Sequence, residues 1–135
     1  MELIVVIIIL GILSTLGVAQ YSKMVEKSRG AEAKSILGTI RQLAATYYIE
    51  QDKAPGSTDT AYLGIGGAGG IPANCTQSSH YFSYGVSNTA ATTFVSTATR
   101  CTGNTGKSPG GSAGSVTLTS YLANGVDSWS STGGY

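Results

Sequence analysis

The chain has 135 residues, which suits one domain and leaves little room for an enzyme with a separate cofactor module. Eight Lys and Arg against seven Asp and Glu give a formal charge of +1, so no long-range field favours nucleic acid or an acidic partner. Charged residues are 11% of the chain, against roughly 25% in an ordinary soluble domain, and eleven of the fifteen lie within residues 1–53. That imbalance divides the sequence into residues 1–22, 23–53 and 54–135.

After Glu2, residues 3–22 (LIVVIIILGILSTLGVAQYS) form 20 positions without a charge. As a helix they span about 30 Å, the thickness of a bilayer's hydrocarbon core. A cleaved signal peptide is the competing reading. It would carry a positive start, a shorter apolar run and a small-residue cleavage site, whereas here an acid precedes the run and more helix follows it. From Lys23 the pattern is amphipathic. Ile36, Leu37, Ile40, Leu43, Ala44 and Tyr47 share one helical face, leaving Lys, Arg and Glu for the others. With no proline before Pro55, the helix is predicted to stop near Asp52 to Ala54. It is therefore some 50 residues long, about 75 Å, and its first half must be buried in lipid or among other helices.

Residues 54–78 read as a Gly, Ser, Thr and Pro-rich connector. Three β-rich runs follow, at 80–87, 91–99 and 115–122, with turns at Ser87-Asn88 and at 103–114. In the third run, Val116, Leu118 and Ser120 are expected on one side and Thr117, Thr119 and Tyr121 on the other. A three-stranded meander needs a cover, and the stripe of residues 36–47 supplies one. The predicted fold class is α+β: a long N-terminal helix whose second half packs on a small antiparallel sheet.

Cys75 and Cys101 bracket the first two runs. A disulfide is the economical reading and implies an oxidising compartment; a free, reactive pair is the alternative. Two Cys and one His at no finger-like spacing fall short of a metal site. Residues 64–69 match G-x-G-x-x-G, but Pro72 follows where a helix should begin, so no nucleotide cofactor is expected. Gly106-Lys107-Ser108 reads as a turn before Pro109. His80 has no carboxylate or nucleophile in view, and the sequence offers no catalytic constellation. Asn74-Cys75-Thr76 matches a glycosylation acceptor in form, and the reading taken is an unmodified Asn. Of the last 82 residues 26 are Ser or Thr, a surface that stays soluble without charge or carries O-linked sugar.

The run from Glu2 to Leu13 resembles the N-terminal helix of type IV pilins, whose mature chains place a glutamate just ahead of such an apolar stretch. Tyr21 matches a tyrosine common there, and Thr97 to Cys101 reads like a strand and cysteine of major pilins. Two departures stand out. Ala19 falls where many pilins carry a kinking proline, so Gly17, with Gly11, supplies the soft point instead. The chain also starts one residue before the glutamate. Lys23, Lys27 and Arg29 alone would orient the membrane helix with its N-terminus outside, so a basic leader, removed by a prepilin peptidase, is expected in the precursor.

The resemblance implies a pilin-like subunit that waits in the inner membrane and is then stacked by the pilus assembly machinery into an extracellular helical filament of identical copies. Met1, Glu2, Leu3, Ile4, Gly11, Gly17 and Tyr21 would carry that assembly. The Glu2 carboxylate would find the N-terminal amine of an adjacent copy; the bland alternative keeps it at headgroup level. Fibres of this kind serve motility, cell adhesion or DNA uptake. A pseudopilin of a type II secretion system and a single-pass membrane-anchored binding module are the alternatives. Tyr21, Tyr47, Tyr48 and the aromatics of the β-rich runs invite an electron-path reading, but packing accounts for them more simply.

Overall fold

The computed structural model describes residues 2–76, 79–103, 105–107 and 109–135, with Glu2 through its backbone alone. The roles expected of Met1 and of the Glu2 carboxylate lie outside the described residues, as does Ser108. Helix α1 runs over Glu2–Gln51, 50 residues, or about 75 Å. Ser14, Thr15 and Ser22 donate their hydroxyls to Leu10, Ile12 and Val18 carbonyls at 2.7, 2.8 and 3.2 Å, so these polar atoms in the apolar half are satisfied within the helix. The helix stops at Gln51, one residue before the predicted interval. Asp52 takes φ 53°, a left-handed conformation that its short side chain tolerates, and its N–H closes the last turn on the Tyr48 carbonyl at 2.8 Å.

Beyond the connector, strands β1 (Phe82–Ala90), β2 (Thr93–Arg100), β3 (Ser115–Tyr121) and β4 (Val126–Ser131) form one antiparallel sheet in sequential order. The α+β architecture is as expected, with two differences in detail. The first turn lies at Ala91–Thr92. Ser87 and Asn88 instead pair with Val95 and Phe94, and a bulge between Asn88 and Ala90 precedes the turn. There the connector crosses the hairpin, the Ala54 N–H donating to the Ala91 carbonyl at 2.6 Å. The second difference is β4 itself. Its sequence, VDSWSS, is exposed at all six positions, so no burial alternation marks it; its ladder with β3 holds it.

Helix α1 lies across β2 and β3. Its buried face is Gly30, Ala33, Leu37, Ile40, Ala44 and Tyr47, spaced three and four residues apart so that they form one stripe. Ile36 and Leu43 are partly buried at its edge. Phe82, Tyr84, Phe94, Ala98, Val116 and Leu118 meet the stripe from the sheet. In β3, Val116, Leu118 and Ser120 point inward as expected. Ser96 and Ser120 bury hydroxyls that find no hydrogen-bond partner among the described residues.

Cys75 and Cys101 form a disulfide with Cα atoms 5.6 Å apart. Gly106 sits against it at φ 73°, and a Cβ there would lie 2.5 Å from the Cys101 Cβ, so the close approach of this turn requires glycine. The glycine-rich run 64–70 curls on itself. Gly66 and Ile71 donate N–H groups to the Ile71 and Gly64 carbonyls, both at 2.8 Å, and Ile65 drops into the core.

Candidate assembly surface

Among the described residues, the longest run of exposed apolar side chains is the first half of α1. Every Leu, Ile and Val from Leu3 to Val18 is more than half exposed, and the apolar span, of mean hydropathy 2.6, has none of its residues buried by the chain. At about 1.5–3 kcal/mol for each such side chain, leaving the rod in water forgoes on the order of 20 kcal/mol. It is long and apolar enough to cross a membrane. Leu3, Ile4 and Tyr21 are exposed on this rod. The helix is continuous through Gly11 and Gly17, and nothing stands within 4 Å of a Cβ at either glycine. No packing among the described residues therefore dictates these glycines.

Where the rod meets the sheet, α1 presents a different surface. The face turned away from the sheet carries Ser28, Ala31, Ser35, Thr39, Gln42 and Thr46, all exposed and none charged. A solvated helix face ordinarily carries charge. Here the charges are confined to the flanks, and the Thr39 and Thr46 hydroxyls fold back on the Ser35 and Gln42 carbonyls at 3.3 and 3.2 Å.

The junction is clamped by an ion pair that sequence reasoning missed. The Arg100 side chain, at the end of β2, is fully buried. It donates to Glu26 of α1 at 3.1 and 3.3 Å and to the carbonyls of Tyr81, Cys101 and Pro109 at 3.0, 3.1 and 3.3 Å. Gly111 makes room for it, since a Cβ there would lie 2.6 Å from the Arg100 Nε. Arg29 also pairs with Glu26 and stacks over the Tyr81 ring, 4.2 Å from its centre. Burial pushes the Glu26 carboxyl up, but hydrogen bonding and charge from Arg100, then Arg29, outweigh it and hold the group below its ordinary value. Tyr135 completes the junction by packing on Gly30 and edge-on to Phe82, ring centres 5.5 Å apart.

The remaining sequence candidates sit elsewhere. His80 precedes β1, its Nε2 2.9 Å from the Asn74 carbonyl oxygen and its Nδ1 3.0 Å from the Ser79 hydroxyl. The Asn74 side-chain oxygen accepts from the Thr76 N–H and hydroxyl at 3.2 and 2.5 Å. Comparison with known protein families, curated proteins and solved structures returned no match.

Proposed function

We propose that the chain is the structural subunit of an extracellular type IV pilus. It polymerises through α1 after residence in the inner membrane. The observation that carries this reading is the continuity of one helix through two environments: an apolar rod exposed all round, then a half that rests on the sheet and turns an uncharged face outward. A simple membrane anchor needs the first part only. A helical bundle uses both, because the rod exchanges lipid for neighbouring rods without exposing new apolar surface, and the uncharged face lets second halves approach one another. The disulfide suits assembly outside the cytoplasm. In this reading the Glu2 carboxylate pairs with the N-terminal amine of an adjacent copy, since an unpaired charge in an apolar bundle is costly.

The test is to shear cells that produce the full chain, image the released material and identify its subunit by mass spectrometry. Long fibres composed of this chain are expected, and Glu2→Ala should lower their yield at least tenfold while the membrane pool persists. A chain found in membranes with no fibres, or undiminished fibres from Glu2→Ala, would overturn the reading.

A further inference from the structure

Lys23, Lys27, Lys34 and Arg41 recur on α1 at intervals of four, seven and seven residues, and Glu32, Ile36, Leu43 and Glu50 recur at the same intervals. At 3.6 residues per turn the two rows stand about 180° apart on the helix. Their surroundings place them on opposite sides of the molecule. On the β4 side, Arg41 pairs with Asp127 at 3.2 Å. On that side too, Lys23 and Lys27 line a groove of about 450 Å³ with Ser22, Ser112, Gly133 to Tyr135 and Glu26, whose carboxylate is already paired with Arg100 and Arg29. On the other side, Glu32 lies near enough to Tyr84 of β1 to raise its pKa, and Glu50 accepts a hydrogen bond from Tyr62 at 2.7 Å. Lys23, Lys27, Lys34 and Glu32 are exposed and form no ion pair among the described residues.

We infer that the contact between neighbouring copies joins the basic flank of one α1 to the acidic flank of the next, with a stagger of nine residues. This rests on the filament reading above. Two unlike faces on opposite sides of one subunit make a head-to-tail contact, the kind that propagates into an open polymer instead of closing a dimer. Because the two rows have identical spacing, one axial shift of nine residues, about 13.5 Å, superposes them along their whole length. Glu32 then faces Lys23 and Glu50 faces Arg41. The half-buried Ile36 and Leu43 meet the methylene stems of Lys27 and Lys34, which cover apolar surface while keeping their ammonium groups in water. The groove beside Lys23 gives the neighbour's Glu32 its approach. The partner is thus a second copy of this chain, and charge complementarity sets its direction and register.

The experiment uses the full chain in fibre-producing cells. Lys23→Glu and Glu32→Lys are each expected to cut sheared-fibre yield about fivefold or more, with the subunit's membrane level and disulfide unchanged. The double reversal is expected to return the yield to within about twofold of the parent, since the pair is restored with its signs exchanged. In cells making two chains, one Lys23→Cys and the other Glu32→Cys, a short bis-maleimide is expected to join them within fibres. Normal fibre yields from both reversals, losses that add in the double variant, or crosslinking of Glu32→Cys to Lys34→Cys in place of Lys23→Cys would each overturn the inference while leaving the filament reading intact. Failure of the parent chain to form fibres removes both.

Discussion

Replacing Glu26 with alanine is expected to loosen the sheet from the helix by removing the carboxylate that pairs with the buried Arg100 guanidinium. Breaking a buried pair by deleting one member costs about 3–5 kcal/mol, because the survivor keeps its desolvation penalty. Here three carbonyls still accept from Arg100, and 30% of the Glu26 side chain is in contact with water, so about 2–3 kcal/mol is expected after solvent screening. For a head of this size that corresponds to a fall in Tm of about 10–20 °C. The assay is thermal unfolding of the full chain in detergent, followed by near-ultraviolet circular dichroism of the buried aromatic side chains, which reports the sheet and not the rod. Glu26→Leu combined with Arg100→Met should recover at least half of the loss, since neither charge is then stranded. The sign with pH follows from the depressed Glu26 pKa. Its contribution is complete above the unfolded-state value, near 4.3, and is lost as the pH falls through the lower folded value. A Glu26→Ala variant within about 1 kcal/mol of the parent at pH 7, or a double variant no better than Glu26→Ala alone, would refute the clamp.

Three further outcomes are expected. Gly106→Ala should lower Tm by at least about 8 °C, because the added methyl meets the Cys101 side chain at a φ of 73°; an unchanged melt would contradict the packing of that turn on the disulfide. Ser120→Ala should be neutral or stabilising by about 1 kcal/mol in the same melt, since the hydroxyl is buried without a partner among the described residues, and a loss above that size would reveal a bond the geometry does not contain. Burial first, then the Glu32 charge, pushes the Tyr84 phenol above its ordinary value. The stability tied to keeping it neutral is therefore present below about pH 10 and lost as the pH rises toward the folded value; Tyr84→Phe should move the alkaline unfolding edge upward in a pH-jump titration.

The helix was legible because its determinants are local. An uncharged run of membrane length, a three-and-four spacing and the absence of proline all lie along one element. Its inner stripe was read too short. Gly30 and Ala33 extend the same spacing toward the N-terminus, but small residues count weakly as apolar, and what buries Gly30 is Tyr135, far away in sequence. Strand β3 was readable from its alternation. Strand β4 was not, because none of its residues is buried, although Asn124-Gly125, with Gly125 at φ 71°, is a hairpin signal ahead of it. The turn expected at Ser87-Asn88 was misplaced because turn-forming residues also occur in strands whose outer face is wet. Arg100 was passed over inside a strand-and-cysteine pattern. Its burial depends on Glu26, 74 residues away, and a lone arginine in a Thr-rich strand announces no such partner.

The sheet is riveted to α1 near both of its ends: by the Arg100 and Glu26 pair where the rod emerges, and by the Ala54 bond to the hairpin where the helix gives way to the connector. A pull applied along the rod is carried by the helix's own hydrogen bonds. The sheet cannot slide along α1 until a desolvated guanidinium is torn from its carboxylate. Mechanical load between helix and sheet is thus shared by the buried Arg100 and Glu26 pair and the more exposed Arg41 and Asp127 pair.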